Sequence, residues 1–257
     1  MNTDLTFIYE KIEAIDPISY AKNRNFIDGS VSQLSPYISR GVISTKQILN
    51  ALLNRGFNPI KIEKFIQELA WRDYWQHIWI DKHNLIDSDL KRKQEKVENF
   101  QIPRAIVEGN SSIEAIDNAV DDFYKTGYIH NHVRMYIAAI CCNNAKSHWK
   151  HPAQWMYYHL LDGDWASNSL SWQWVCGANS SKLYFANQEN INKYCYTKQK
   201  NTFLDVDYGQ FYSMEIPEVL RETTTLELKT PLPKTDNNIR VDTDISTLIY
   251  NYYNLDP

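Results

Sequence analysis

The chain has 257 residues, 13% of them aromatic, with 31 acids against 27 lysines and arginines for a formal net charge of −4. That length can bury one large core or two small ones, and the composition predicts a soluble globular protein. No stretch approaches the roughly 18 consecutive apolar residues of a membrane span and no charged-then-apolar leader opens the chain, so neither membrane nor secretion is expected and a cytoplasmic location follows.

The charge is uneven. Residues 201–257 hold ten acids and four bases, net −6, which leaves 23 bases and 21 acids, net +2, in residues 1–200. A mildly basic body can meet phosphates, although no arginine-rich run marks a nucleic-acid groove. The four cysteines, Cys141, Cys142, Cys176 and Cys195, have no C-x-x-C spacing. They predict buried small apolar residues rather than a disulfide framework or a zinc site.

In chain order, the first informative segment is Gly29 to Ser44, GSVSQLSPYISRGVIS, with five serines and two glycines ahead of an apolar helix. Hydroxyls and free amides at a helix start suit an anion such as phosphate, and equally suit a well-capped helix. From Ile43 to Tyr158 the pattern predicts helix almost throughout. Ile62, Phe65, Ile66, Leu69 and Ala70 fall at helix spacing and continue into Trp71, Tyr74, Trp75 and Ile78. Glu68 and Arg72 lie one turn apart there and could pair on the surface, whereas three crowded aromatics either fill a core or line a cavity for a flat ligand.

A second helix is expected from Ile113 through Val120 and Phe123 to Thr126-Gly127, where glycine suits the end. A third starts near His130, in GYIHNHVRM, and turns Val133, Tyr136, Ile137 and Ile140 inward. The i, i+2 spacing of His130 and His132 argues against a shared metal, and none is expected. Ala153 to Leu161 forms a fourth. Next comes DGDWASNSLSWQWVCG, Asp162 to Gly177, in which Asp162, Asp164 and Asn168 suit a turn leading into a helix, beside Trp172 and Trp174. That segment reads either as a capped turn before core tryptophans or as side chains converging on one ligand.

Beyond residue 203 the character changes, with Pro217, Pro231 and Pro233, a Thr223-Thr224-Thr225 run, and an apolar end at Leu248, Ile249, Tyr250, Tyr252 and Tyr253. The expected organisation is an extension over 1–19, a helical domain over 20–200, and an acidic tail over 201–257 docked on the helical body. No β-α alternation and no G-x-G-x-x-G loop is present, which argues against a Rossmann domain.

Taken in this order, GSVSQLSPYISRGVIS, ELAWRDYW, GYIHNHVRM and DGDWASNSLSWQWVCG resemble the FAD-binding helical domain of the photolyase and cryptochrome family, from about Tyr20 to Tyr194. The resemblance implies an all-α fold, an irregular tail, and FAD folded into a U in a cavity open to DNA. It implies that Tyr20, Ser32, Gln33, Leu34 and Ser35 meet adenosine and diphosphate, and that Arg72 is a further cofactor contact. Arg134 and Asp162 resemble the ion pair beside the isoalloxazine, Asp164 faces the ribityl and adenine side, and Asn168 resembles the residue at flavin N5.

The same resemblance implies repair of a flipped cyclobutane pyrimidine dimer in DNA. Trp71 and Trp174 are its walls, Glu68, Asn131 and Met135 its polar and packing contacts, and Arg24 a phosphate contact. Asn131 stands where enzymes for the six-four photoproduct carry histidine, which favours the cyclobutane lesion. Trp172 and Trp149 match the two inner members of an electron relay, whose surface member is not evident near Lys96, Val97 and Phe100; Trp165 or a tyrosine is the substitute. Only about nineteen residues precede Tyr20, so no antenna chromophore is expected on this chain. Val31 replaces a hydroxyl residue and His132 replaces a common DNA-contacting arginine. The alternatives are a photoreceptor without repair activity and the FAD-binding half of a split enzyme with a separately encoded partner protein.

Overall fold

The structure is a computed structural model that describes residues 2–229. Its helices are α1 (Leu5–Glu13), α2 (Pro17–Asn23), α3 (Ser35–Ser39), α4 (Thr45–Asn54), α5 (Glu63–Lys82), α6 (Arg104–Val107), α7 (Glu114–Thr126), α8 (Asn131–Ala139), α9 (Lys150–His159), α10 (Trp165–Val175) and α11 (Gln188–Cys195). Many start where a side chain can accept from the first free amides. Asp16 caps α2 with Pro17 following, Ser44 and Gln47 form a reciprocal capping box on α4, and Asp164 caps α10. The fold class is all-α, as expected.

The apolar side chains gather into two clusters. The smaller holds Ile8, Ile12, Leu34, Ile48, Leu52, Ile62 and Phe65, from α1, α3, α4 and the start of α5. The larger is built by α7, α8, α9 and α10 around Phe123, Ile137, Trp149, Trp155 and Trp172. Helix α5 roots in the smaller cluster through Phe65 and runs on to pack against α10, so it spans the seam between them.

The helix expected from Ile43 to Tyr158 is interrupted. Helix α5 ends at His83, whose φ of 49° lies in the left-handed region, and after a 3-10 turn over His83–Asp87 the chain is irregular to residue 101. The physical reason is local: Leu90, Val97 and Phe100 are the only large apolar side chains in residues 88–100, too few for an amphipathic stripe. Side chains satisfy the backbone instead. Leu90 N–H donates to Gln173 Oε1 at 2.9 Å, and Gln94 bridges Ser147 O at 2.9 Å and Trp149 N–H at 3.0 Å.

Residues 203–229 run over the larger cluster, with Leu204, Phe211 and Leu220 buried in it. Their Thr223–Thr224 strand pairs antiparallel with Ile102–Pro103. Leu248 to Tyr253, expected to cover an apolar surface, lie outside the described residues. All four cysteines are buried free thiols, and burial pushes each of Cys141, Cys142 and Cys195 above its ordinary pKa. Among the described residues no helix is long and apolar enough to cross a membrane.

Gly127 closes α7 with φ 68°, and a Cβ there would sit 2.6 Å from Leu161 Cγ and 3.2 Å from the His159 carbonyl oxygen. Gly127→Ala is therefore expected to lose about 2–3 kcal/mol in denaturant unfolding, from left-handed strain plus overpacking. Gly109→Ala serves as the control. It has φ 63° but meets first the flexible Asp121 carboxylate at 3.1 Å, so it should lose about 1 kcal/mol, from conformation alone.

Candidate functional site

The turn between α9 and α10 carries two carboxylates that face different partners. Asp164 caps α10 by accepting from Ala166 N–H at 3.1 Å and from the Ser167 hydroxyl at 2.8 Å. Its oxygens also take Gln76 Nε2 at 2.7 Å and Arg72 Nη1 at 3.3 Å, both from α5. The capped-turn reading and the converging-ligand reading thus describe the same side chain. Gln76 was not singled out from the sequence, although it stands one helical turn beyond Arg72, and that i, i+4 relation was the available signal.

Asp162 is 6% exposed and accepts from Arg134 Nη2 at 3.0 and 3.1 Å, while Arg134 Nε donates to Ile129 O at 2.8 Å. Burial alone would raise its carboxyl pKa, but the Arg134 charge, a hydrogen bond from Ser35 and the more distant Arg72 outweigh it and hold the group below its ordinary value. Ser35 begins α3, so its hydroxyl favours the Asp162 carboxylate from the side of the smaller cluster. Arg40, at the end of α3, donates to the Leu161 carbonyl on the same turn. Four helices and one turn are tied together at this point.

The other expected cofactor contacts surround that knot. Leu34 is buried and precedes α3 without offering a side-chain cap, and Gln33 beside it has φ 54°. Ser32 Oγ accepts from Leu34 N–H at 3.4 Å. Tyr20 packs edge-on against Phe65 with ring centroids 4.9 Å apart, and burial pushes its phenol pKa up. Asn168, on the first turns of α10, is buried and donates from Nδ2 to the Ala153 carbonyl at 2.8 Å.

Glu68 and Arg72 do not pair with one another. Glu68 meets Lys64 at 2.8 Å and Arg24 at 3.6 Å, because Arg72 is drawn across the seam to the more buried Asp164. Trp71 and Trp174 are 49% and 43% exposed, and Trp71 stacks on Trp75 with centroids 5.2 Å apart. Asn131 is exposed at the start of α8 and Met135 is half-buried one turn later. Trp172 and Trp149 are buried, and Trp149 Nε1 donates to Asp89 at 2.8 Å. Phe100, exposed, stacks on His148 next to Trp149. Trp165 donates to Asp87 at 2.7 Å and packs edge-on to Tyr157.

Two histidines precede Arg134 in sequence, His130 and His132. Burial, then the neighbouring His132 and Arg134 charges, push His130 down to about 4, and burial lowers His132. His130 Nδ1 accepts from His132 N–H, and the His132 ring stacks on Tyr136 at 4.6 Å.

These shifts give acid sensitivity in two windows. An unfolded histidine takes up a proton near 6.5 and folded His130 only near 4, so stability should fall as pH drops from about 6.5 to 4. Asp162, held below its ordinary carboxylate value, contributes stability that is complete above about pH 4 and lost as pH falls through its folded value. Urea midpoints measured against pH should show both, with His130→Gln shrinking the upper window only. Asp162→Asn should cost about 3 kcal/mol at pH 7 by leaving Arg134 without its carboxylate. An unchanged midpoint at pH 7 would show that the pair is not holding the seam.

Known proteins are similar to this chain in sequence and in fold. The model of the FAD binding domain of DNA photolyase matches residues 65–250. A deoxyribodipyrimidine photo-lyase of Buchnera aphidicola subsp. Baizongia pistaciae is 28% identical over 96% of this chain and 52% of its own length, and that of Thermus thermophilus is 30% identical over 62% and 38%. The chain therefore spans about half, or less, of the curated relatives it matches. Among solved structures, a Synechocystis cryptochrome superposes with a TM-score of 0.65 at 21% identity, over 74% of this chain and 42% of that one. A bacterial class III photolyase from Agrobacterium tumefaciens gives 0.61 at 25% identity, over 74% and 42%. With a family match across most of its length and a fold shared with both branches, the chain belongs to the DNA photolyase and cryptochrome family and carries that family's helical FAD-binding domain, with FAD as cofactor.

Proposed function

We propose that the chain holds FAD at the seam between its two cores and uses it to split cyclobutane pyrimidine dimers in DNA under blue or near-ultraviolet light. The observation that carries this is the Arg134–Asp162 pair, its carboxylate withdrawn from water, followed on α10 by the buried Asn168 amide. Apolar packing would be at least as stable as a buried ion pair, so its presence favours a polar ligand that needs it. The residues fit such a ligand. Leu34 leaves the start of α3 uncapped, Arg72 is within reach of the same seam, and Asn168 spends its Nδ2 on the Ala153 carbonyl, which leaves Oδ1 as an acceptor.

When bound, FAD supplies a light-driven electron to the dimer and a place for it to return. Tyr20, Ser32, Gln33, Leu34, Ser35 and Arg72 would hold its adenosine diphosphate, and Asp164 would face the ribityl and adenine side while fixing Arg72. Arg134 and Asp162 would balance charge at the ring, and the neutral Asn168 amide would accept there without adding a second charge. Trp71 and Trp174, half-exposed, offer flat walls for an extruded dimer, whose flipping costs a few kcal/mol. Glu68, Asn131 and Met135 would line the dimer site, and Arg24 would meet a phosphate. Trp172 and Trp149 are buried indoles suited to pass electrons inward.

Purified protein with reduced FAD, illuminated with dimer-containing oligonucleotides, should lose dimers from single- or double-stranded substrate. No repair in either form sinks the reading. Trp71→Ala and Trp174→Ala should each weaken damaged-strand binding about 10-fold, the equivalent of one stacked base, with flavin absorbance retained. Trp172→Phe should slow photoreduction of the oxidised protein while leaving repair by chemically reduced protein intact.

A second reading is favoured by His132, which stands at a position suited to a phosphate-binding cation yet is held neutral by burial and bonded to the Asn25 carbonyl. On that reading the chain is a blue-light receptor whose tail reports the flavin's redox state. Equal affinity for damaged and undamaged DNA, together with light-dependent proteolysis after Thr202, would select it over repair.

A further inference from the structure

A cavity that no step above uses lies beyond the C-terminal half of α5. It has a volume of about 350 Å³ and is lined by Tyr74, Trp75, Leu85, Lys82, Lys91 and Asn179, among others. That volume falls within the roughly 300–1,000 Å³ of small-ligand sites. The lining has three distinct parts. Trp75 and Tyr74 give flat aromatic surface, their rings 5.0 Å apart. Lys91 is exposed and has no carboxylate within ion-pair range among the described residues, while Lys82 holds only the exposed Asp81 at 2.8 Å. Asn179 is 6% exposed, and its Oδ1 has no hydrogen-bond donor.

Each part selects one property of a ligand. Aromatic walls take a planar ring, the lysines take an anion, and an orphaned buried carbonyl oxygen asks for an N–H donor after a small side-chain rotation. Asp89 also borders the cavity, but its oxygens are occupied by Gln94 N–H at 2.9 Å, Trp149 Nε1 at 2.8 Å and His148 at 3.1 Å, so it is tied back toward the core. A nucleobase with its phosphate meets all three requirements. The source is indicated by Trp75, which lines this cavity and also stacks on Trp71 at 5.2 Å with the rings 26° from parallel. One aromatic wall therefore runs from the exposed Trp71 into the cavity.

We propose that this cavity is a second nucleotide subsite, which takes one unpaired base of a DNA strand against Trp75 and Tyr74 with a phosphate at Lys91 and Lys82, next to the extruded dimer at Trp71. The assignment of the nucleotide to a strand rests on the DNA reading above; the cavity's chemistry does not. Two lysines are a thin grip for a free nucleotide, whereas a strand brings its own further contacts and can enter and leave along the aromatic wall.

The test uses the FAD-bound protein and undamaged single strands that carry 2-aminopurine, a base whose emission falls on stacking, with the free 2-aminopurine nucleotide as the second arm. Wild type should bind the strand with quenching. Lys91→Glu should weaken strand binding about 10-fold and reduce the slope of log Kd against log salt by about 0.7 for the lost phosphate contact. Trp75→Leu should remove the quenching while flavin absorbance and residual strand binding persist. Should Lys91→Glu match wild type in affinity and salt slope in a protein that repairs dimers, the subsite is overturned and the repair reading stands. Binding of the free nucleotide without any strand binding would overturn the strand assignment, and binding of neither would overturn the subsite, while loss of dimer repair is what would overturn the DNA reading.

Discussion

The structure depends on two charge pairs that cross the seam between its hydrophobic clusters. Arg134 meets Asp162 at 3.0 Å and Arg72 meets Asp164 at 3.3 Å, and both carboxylates are almost fully withdrawn from water. Each acid alone in such a place would be expelled or protonated, since the desolvation of one carboxylate outweighs a typical hydrogen bond several-fold. Because the two acids are two residues apart on one turn, pairing both fixes α5, α8 and the start of α10 relative to one another. Ser35 and Arg40 add α3 through the same turn.

Such an arrangement is costly as architecture and economical as a binding site. A chain that needed only to join two cores would do better with interdigitated apolar side chains. Placing the charges where the cores meet keeps both carboxylates and their arginines out of the two apolar clusters and gathers the two pairs on one turn. Asp164 shows how little is spent doing this. One side chain caps α10, orients Arg72 and accepts from Gln76, so the helix start and the site are stabilised by the same oxygens.

Local features of the fold were legible from the sequence, and pairings were not. The end of α7 at Gly127, the start of α8 after His130 and the cap at Asp164 all rest on neighbours within four residues, where spacing and residue type suffice. The interruption after α5 is not visible in the sequence because the chain from Lys82 to Gln101 is held by distant groups, the Gln173 side chain and the Ser147 carbonyl among them. Glu68 and Arg72 fit an i, i+4 pair by spacing, yet Arg72 goes to an acid 92 residues away. A surface pair gains a few tenths of a kcal/mol, whereas leaving Asp164 unpaired in the seam costs several times more, so the long-range partner wins. The stack of Trp71 on Trp75 was implied by the aromatic crowding of α5, but which side of it faced a cavity required the segment that α5 runs into.

The histidines next to Arg134 complete the electrostatic argument. Arg134 carries the one fixed positive charge at the head of α8, and Asp162 cancels it; His130 and His132, both lowered by burial, add none near neutral pH. The floor of the site is therefore close to electroneutral, so a bound group there feels oriented dipoles and one paired charge instead of a net field. Were either histidine charged, the head of α8 would carry a second positive charge beside Arg134 and hold anions more strongly. With His130 buried, His132 half-buried and both neutral, the charge of the seam is left to the two arginine–carboxylate pairs.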